Sequence, residues 1–227
     1  MEDYYDVQIK IILLGLNHAG KSSLIERYIN KTFSELVENT IGVEFVNKIE
    51  TRKDKSVKLN IWDTCGQENF SSFTRIYYQN ADVILLVVDC KSLNSLKRAQ
   101  KFVEEIKNNV NGVYHVFLVV TKIDLMDQNQ TGDVSFIKSE QFYKNCKFYA
   151  QIAKMKKRGK VEKVFWVSSK FDIGVDALFG FIVRSYAEGR FKVDQNRAKD
   201  SYGQQLEIKS LISRKKSKKG KGGKKCC

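Results

Sequence analysis

The chain of 227 residues contains no proline and has little histidine, methionine or tryptophan. Without proline, its turns depend on glycine, asparagine and aspartate. No apolar run approaches the roughly 18 residues that a membrane-spanning helix needs, and the longest covers only residues 83–88. The first residues are acidic and include no apolar segment, so we expect no secretory signal.

Cysteine is also too sparse and too unevenly placed for a disulfide framework. There are five cysteines, and two of them, Cys226 and Cys227, stand side by side at the end of the sequence. This pattern favours a reducing, cytosolic protein. Hydrophobic residues make up 42% of the chain and charged residues 29%, which excludes wholesale disorder. The length fits one domain with an appendage.

The positive charge is concentrated at one end of the chain. The formal net charge is +14, and nine lysine and arginine residues but no acidic residue follow from residue 209 onwards. The run 214–225 is low in complexity and cannot bury a core. Such a run binds an anionic surface, either nucleic acid or the cytoplasmic leaflet of a membrane, or remains a solvated tail.

Apolar runs alternate with helical patterns along the first 190 residues. The runs predict strands, and the 3.6-residue patterns predict helices, including a long one over 139–158 that Ser139 caps and Gly159 ends. Residues 43–50 and 56–62 predict a hairpin. The alternation predicts an α/β fold whose mostly parallel sheet is covered on both faces. Ligands of such sheets bind beyond the carboxyl ends of the strands.

The loop after the first predicted strand carries the strongest chemical signal. Residues 15–22 read Gly-Leu-Asn-His-Ala-Gly-Lys-Ser, which is the G-x-x-x-x-G-K-S pattern between a strand and a helix. Backbone N–H groups of such a loop surround an anion. Lys21 adds a positive charge at the β- and γ-phosphates, and the Ser22 hydroxyl offers a hard oxygen to Mg²⁺. The pattern predicts a nucleotide phosphate site.

Three further segments identify a family. They read Thr-Ile-Gly-Val-Glu-Phe at 40–45, Lys-Leu-Asn-Ile-Trp-Asp-Thr-Cys-Gly-Gln-Glu at 58–68 and Tyr-Tyr-Gln-Asn-Ala-Asp at 77–82. Together they resemble the Rab family of small GTPases, within the Ras superfamily, over about residues 7–190. The phosphate loop is more similar to that of Arf proteins, but Glu2 replaces the glycine that Arf myristoylation needs.

The resemblance implies a P-loop small-GTPase fold, with a mostly parallel six-stranded sheet, one antiparallel edge strand and helices on both faces. It implies a GTPase domain over residues 1–190 and a flexible polybasic tail over 191–227. It also implies that the protein binds GTP and GDP with Mg²⁺.

The resemblance assigns roles around the phosphates. Thr40 should contact Mg²⁺ and the γ-phosphate, Asp63 should hold Mg²⁺ through water, and Gly66 should donate its N–H to the γ-phosphate. Gln67 should orient the attacking water as the catalytic residue. The remaining phosphate and metal contacts should come from Gly15, Asn17, His18, Ala19, Gly20, Lys21, Ser22 and Ser23.

Base recognition is assigned to later segments. Phe33 should pack against the guanine edge. Residues Thr121-Lys122-Ile123-Asp124 resemble the family's N-K-x-D, in which the carboxylate of Asp124 accepts hydrogens from guanine N1 and N2. Residues Ser168-Ser169-Lys170 resemble S-A-K, whose backbone reads guanine O6. The surface that Rab proteins present to effectors is matched by Phe45, Trp62 and Tyr77.

Several residues depart from the family pattern. Thr121 replaces an asparagine and loses an amide donor, which predicts unusually fast nucleotide release. Ser169 replaces alanine, and Cys65 adds bulk beside the expected γ-phosphate. Asn17 and His18 replace glycines, but both residue types tolerate left-handed backbone, and we interpret His18 as a loop side chain, not a catalyst. The basic residues 154–160 are either a partner surface or a favourable helix terminus.

The final Cys226-Cys227 resembles the double geranylgeranylation signal of Rab proteins. Two lipid chains with a polybasic segment hold a protein stably on a membrane. We therefore expect a monomer that divides between the cytoplasm and the cytoplasmic face of an internal membrane. The resemblance implies as partners an exchange factor, a GTPase-activating protein, a GDP-dissociation inhibitor, a prenyl escort and effectors. The tail lacks interleaved aromatic residues, which argues against nucleic acid.

The predicted function is a Rab-type switch that hydrolyses GTP slowly, at about 10⁻⁴ s⁻¹ without an arginine finger, and regulates vesicle traffic. The alternative is a membrane-anchored nucleotide-binding scaffold whose hydrolysis is lost or very weak, which the departures at Thr121, Cys65, Asn17 and His18 motivate. The presence of Gln67, Thr40, Ser22 and Lys21 argues against that alternative.

Overall fold

The computed structural model describes residues 4–36, 40, 42–66, 79–110, 112–126, 140–144 and 146–193, and the statements below concern these residues. The strands are β1 (Val7–Leu14), β2 (Val43–Arg52), β3 (Lys55–Thr64), β4 (Val83–Asp89), β5 (His115–Thr121) and β6 (Lys163–Trp166). The helices are α1 (Lys21–Asn30), α2 (Leu93–Asn109), α3 (Glu140–Lys144), α4 (Tyr149–Lys157) and α5 (Val175–Ala187). A 3₁₀ turn follows β5 at Ile123–Met126.

The six strands form one sheet in the order β2-β3-β1-β4-β5-β6. The edge strand β2 pairs antiparallel with β3, and every other neighbouring pair is parallel. This confirms the predicted mostly parallel sheet with one antiparallel edge strand. Because five strands run in the same direction, the loops after β1, β3, β5 and β6 meet at one edge of the sheet.

The sheet is buried on both faces. Ile9, Ile11 and Leu13 of β1 belong to one apolar cluster with residues of α1 and α5. The alternating residue Ile12 is also fully buried, so it contributes to the opposite face, where α2 packs against β4. Helices therefore cover both faces, as predicted, and they hold the loop-bearing edge of the sheet in place.

The prediction of one long helix over residues 139–158 is wrong. The structure has two shorter helices, α3 and α4, separated by a turn in which the N–H of Tyr149 donates to the carbonyl of Cys146. The turn lets Cys146 and Phe148 bury their side chains to 4% and 8% exposure. Burial of both side chains outweighs the continuous helical pattern. Gly159 does end the second helix, in a left-handed conformation with φ 66°.

The first compact unit of the chain extends to Val193. The predicted boundary at residue 190 and the tail remain predictions, because residues 194–227 lie outside the described part. Gln67, Tyr77, Ser139, Cys226 and Cys227 also lie outside it. Within the described ranges, no helix has the length and apolar character that crossing a membrane requires.

Candidate functional site

The loop between β1 and α1 has a shape that its glycines make possible. A Cβ atom on Gly15 would lie 2.4 Å from the carbonyl oxygen of Val87, so only glycine fits against β4. Gly20 adopts a left-handed conformation with φ 89°, and His18 does so with φ 60°. The expectation that His18 tolerates this backbone is confirmed.

Lys21 is enclosed by this loop. Its side chain is 5% exposed, and its Nζ donates hydrogen bonds to the carbonyl oxygens of Gly15 at 3.2 Å and Leu16 at 3.1 Å. Burial lowers the pKa of Lys21, and the nearby Asp63 and Cys65 partly oppose this change. The loop thus holds an ammonium group at its centre, where an anion can reach it.

Three oxygen-bearing side chains converge beside that lysine. The parallel pairing of β1 with β3 sets Asp63 opposite Leu13, at the end of β3. The Ser22 hydroxyl donates to Asp63 Oδ2 at 2.5 Å, and the Ser22 and Thr40 hydroxyl oxygens lie 2.9 Å apart. Thr40 itself reaches Asp63 Oδ2 at 3.5 Å. The residues that were predicted to hold Mg²⁺ therefore lie together.

The chemistry of this cluster fits a magnesium ion. Asp63 is 3% exposed, yet its Oδ1 atom has no hydrogen-bond partner among the described residues. Burial raises the pKa of Asp63, opposed by the hydrogen bond from Ser22 and the charge of Lys21. A buried carboxylate oxygen without a partner, next to two hydroxyls, is the kind of hard oxygen set that Mg²⁺ prefers, directly or through water.

The segment after β3 passes very close to the phosphate loop. A Cβ atom on Gly66 would lie 2.2 Å from the backbone nitrogen of Asn17, so glycine is required at this crossing. The preceding Cys65 is only partly exposed, and its N–H donates to the carbonyl of Gly42 at 2.8 Å. The backbone of Cys65 is thus held to Gly42 beside this crossing.

At the end of β5, Thr121 bridges to the phosphate loop. It is 1% exposed, and its Oγ1 donates to the carbonyl of Ala19 at 2.6 Å. The carbonyl oxygen of Val88 lies 3.1 Å from the same hydroxyl oxygen. The threonine hydroxyl therefore links the end of β5 to the phosphate loop. The loss of a hydrogen bond from this position to a bound base stays a prediction.

Asp124 lies in the 3₁₀ turn that follows β5, next to the loop after β6. The Ser168 hydroxyl donates to Asp124 Oδ1 at 2.5 Å, and the N–H of Phe171 donates to the same hydroxyl oxygen at 3.2 Å. Ser168 is fully buried. The Asp124 carboxylate is therefore held in one orientation by a side chain from the loop after β6. The two segments predicted to read a base lie side by side.

The phosphate loop, Thr40, the segment after β5 and the loop after β6 border one cavity of about 310 Å³ at the carboxyl edge of the sheet. The predicted residues that line it are Asn17, His18, Gly20, Lys21, Ser22, Ser23, Phe33, Thr40, Thr121, Lys122, Asp124, Ser169 and Lys170. Other predicted residues support its walls: Gly15, Ala19, Asp63, Gly66 and Ser168. The sequence interpretation thus located nearly the whole lining of a single cavity.

Sequence reasoning missed three residues of the lining, Ser34, Glu35 and Leu125. Glu35 forms an ion pair of 2.7 Å with Lys170 across the cavity mouth. No motif includes these positions. The only available signal was that Ser34 and Glu35 follow Phe33 and that Leu125 follows Asp124.

The predicted effector surface is described only in part. The rings of Phe45 and Trp62 lie 5.5 Å apart in an edge-to-face arrangement across the β2–β3 pair. Trp62 is only 3% exposed, and Lys10 Nζ lies over its ring at 4.5 Å. Of the two rings, Phe45 therefore contributes more of the surface that a partner could contact.

A phosphate loop closed around its own lysine, at the edge of a mostly parallel sheet, defines the class of P-loop α/β proteins. The Ras family model matches residues 10–171 of this chain. The Ras-related protein Rab-11B of Dictyostelium discoideum is 33% identical over 181 residues, covering 80% of this chain and 76% of Rab-11B.

Two proteins of Saccharomyces cerevisiae are also similar. GTP-binding protein YPT52 is 37% identical over 138 residues, covering 57% of this chain and 59% of YPT52. GTP-binding protein YPT53 is 37% identical over 138 residues, covering 61% of this chain and 63% of YPT53. The chain thus spans less than two thirds of these two relatives. The chain belongs to the Ras family and, within it, to the Rab family of small GTPases.

Proposed function

We propose that the protein is a GTP-binding Rab regulator of membrane trafficking, which hydrolyses GTP to GDP. The observation that carries this proposal is that one cavity extends from Lys21 and Ser22 at one end to Asp124 at the other. These groups are complementary to the two ends of a guanine nucleotide. The relatives YPT52 and YPT53 are named as GTP-binding proteins, which supports the same ligand.

The selectivity of the site for guanine over adenine follows from Asp124. A carboxylate accepts hydrogens, and guanine presents two together at N1 and N2, whereas adenine does not. The hydrogen bond from Ser168 at 2.5 Å restrains the carboxylate, so its preference is pre-organised. A site that hydrogen-bonds its substrate rejects an analogue that leaves its polar groups unpaired.

Hydrolysis follows from the other end of the cavity. Ser22, Thr40 and Asp63 would hold Mg²⁺, which supplies charge neutralisation at the phosphate oxygens when bound. Lys21 adds its charge from within the loop. Gln67 would orient the attacking water. A site of this kind without an arginine finger in cis hydrolyses GTP slowly, so we expect an intrinsic rate of about 10⁻⁴ s⁻¹, raised by a GTPase-activating protein.

The same site would act as a switch. Thr40 reaches Ser22 and Asp63 through its hydroxyl, so a bound γ-phosphate and metal would fix its segment, and hydrolysis would release it. Effectors would bind the fixed state, an exchange factor would reset it, and a GDP-dissociation inhibitor and prenyl escort would handle the lipidated tail. Cys226 and Cys227 would anchor the protein reversibly to the cytoplasmic face of an internal membrane.

The test of hydrolysis is a single-turnover assay on the full chain, with GTP loaded before the measurement. Gln67→Leu should lower the rate while GTP stays bound. Gln100→Leu makes the same chemical change on α2, outside the cavity lining, and should leave the rate unchanged. Equal rates for Gln67→Leu and the wild type would contradict the role of Gln67.

The test of the anchor is the double substitution Cys226→Ser, Cys227→Ser, expressed in cells that prenylate proteins. Salt screens the attraction between the basic tail and an anionic membrane. The double variant should therefore leave the membrane fraction in a high-salt wash, and the wild type should remain. A double variant that still pellets with membranes at high salt would contradict the lipid anchor.

The scaffold alternative is not favoured. His18 adopts the left-handed backbone without a glycine, and Thr121 keeps its link to the phosphate loop at 2.6 Å. Two of the departures that suggested a lost activity are therefore compatible with an intact site.

A further inference from the structure

Arg27 on α1 belongs to no motif, yet it contacts the segment predicted to read guanine O6. Its Nε donates to the carbonyl of Ser169 at 2.6 Å, and one terminal nitrogen donates to the carbonyl of Lys170 at 3.1 Å. The other terminal nitrogen donates to the carbonyl of Lys31, at the end of α1, at 2.6 Å. One half-buried guanidinium thus joins the end of a helix to a loop that is about 140 residues away in sequence.

The direction of these carbonyls has a consequence for the neighbouring N–H groups. A trans peptide is planar, and its C=O and N–H point in opposite directions. The carbonyl of Ser169 points at Arg27, so the N–H of Lys170, in the same peptide, points away from Arg27. Ser169 and Lys170 both line the cavity. Arg27 therefore fixes the orientation of an amide that borders the base end of the cavity.

Arginine is suited to this task in a way that lysine is not. The guanidinium is a planar fork with five N–H donors, and it serves all three carbonyls at once. An ammonium is a compact group on a flexible stem and cannot reproduce the three directions. The ion pair between Glu35 and Lys170 joins the segment after α1 to the same loop, but both side chains are exposed, and such pairs contribute little.

The position of Arg27 also relates the two ends of the cavity. The same helix begins with Lys21 and Ser22, which face the phosphate end. Arg27 lies more than a turn further along α1 and holds the base end. A short helix is a stiff spacer, with a rise of about 1.5 Å per residue. The helix therefore sets the distance between the phosphate site and the base-reading loop.

We infer that Arg27 is a positioning residue that orients the Lys170 amide towards guanine O6, and that it thereby determines selectivity at O6 and slows nucleotide release. The inference rests on the proposed function, because it requires a guanine nucleotide in the cavity. It concerns a residue that does not itself line the cavity and that acts through the backbone of Ser169 and Lys170.

The test uses the full chain with Arg27→Lys, and Arg184→Lys as the matched control on the exposed side of α5. Release rates are measured for three diphosphates: GDP, 6-thio-GDP and IDP. Sulfur is a weak hydrogen-bond acceptor, so 6-thio-GDP probes O6 alone. IDP lacks the N2 amino group, so it probes the contact with Asp124.

For Arg27→Lys we expect GDP release to become about ten- to a hundredfold faster, since hydrogen bonds from a charged donor are lost. The ratio of the 6-thio-GDP release rate to the GDP release rate should fall towards one. The ratio of the IDP release rate to the GDP release rate should stay at the wild-type value. Arg184→Lys should match the wild type in every ratio. Arg27→Gln repeats the comparison with a neutral side chain, should the lysine variant fold poorly.

Two results would overturn the inference. Unchanged GDP release and unchanged ratios in Arg27→Lys would show that Arg27 does not act on the base. An equal fall in both ratios would show general loosening of the fold, without a specific effect at O6. A wild-type protein that retains no GDP would instead refute the proposed function and, with it, this inference.

Discussion

The two ends of the cavity are built in different ways. The phosphate end depends on close backbone contacts, since a Cβ atom on Gly15 or Gly66 would meet backbone atoms at 2.4 and 2.2 Å. The base end depends on side chains that tie loops together, as Thr121 does with Ala19 and Arg27 with Ser169. The phosphate end therefore leaves little freedom in residue type, whereas the base end tolerates substitutions that keep a suitable donor.

The largest effect should come from removing the charge at the phosphate end. Lys21→Met deletes a buried ammonium that would contact two phosphate groups, and hydrogen bonds to charged groups contribute about 1.5–3 kcal/mol each. We expect GDP affinity to fall by roughly a hundred- to ten-thousandfold, measured by titration with a fluorescent GDP analogue. Lys55→Met, at the exposed start of β3, is the control. Near-normal affinity for Lys21→Met would mean that the loop binds phosphate through its backbone alone.

The next effect concerns the metal. Ser22→Ala removes a hydroxyl that lies 2.5 Å from Asp63 Oδ2 and that would coordinate Mg²⁺. In the wild type, chelating Mg²⁺ with EDTA should speed GDP release. In Ser22→Ala, release should already be fast, by roughly tenfold or more, and EDTA should change it little. Ser56→Ala, on β3 and outside the cavity lining, serves as the control. An undiminished EDTA response in Ser22→Ala would assign the metal to other ligands.

At the base end, Thr121→Val tests the side-chain link directly. Valine has nearly the same shape but leaves the Ala19 carbonyl without its donor, and an unmade buried hydrogen bond costs about 1–3 kcal/mol. GDP release should become roughly five- to a hundredfold faster. Thr51→Val, on the exposed hairpin, should have no such effect. If Thr121→Val released GDP at the wild-type rate, the link to Ala19 would have no role in binding.

Thr121→Asn makes the opposite change at the same position. If the fast release predicted from the sequence came wholly from Thr121, this change would slow release about tenfold or more. Because the threonine already links to the phosphate loop at 2.6 Å, we now expect only a few-fold slowing, from a contact to the base. Stopped-flow release of a fluorescent GDP analogue measures this. Faster release in Thr121→Asn would mean that the larger amide disturbs the packing against Gly20.

The smallest effect should come from the cavity mouth. Glu35→Gln removes the ion pair with Lys170, and both side chains are exposed. Exposed pairs of this kind contribute little and are screened by salt. GDP release should change by about twofold or less at physiological salt. A change above tenfold would show that the ion pair between Glu35 and Lys170, and not Arg27, holds the base end of the cavity.

Local sequence signals predicted most of the fold and of the site. The buried run of β4 and the G-x-x-x-x-G-K-S loop are each continuous in sequence, so their meaning could be read without a structure. The break in the helix over 139–158 could not be predicted, because it depends on burial of Cys146 and Phe148. The contacts of Arg27 could not be predicted either, because its partners Ser169 and Lys170 are far away along the chain.

The most direct test of the central claim is the nucleotide content of the full-length protein, purified without added nucleotide. The protein is denatured, and the released nucleotide is identified and quantified by chromatography. The account predicts GDP or GTP in near-stoichiometric amount, because Lys21 and Asp124 border one cavity. An adenine nucleotide, or no nucleotide at all in folded protein, would contradict it.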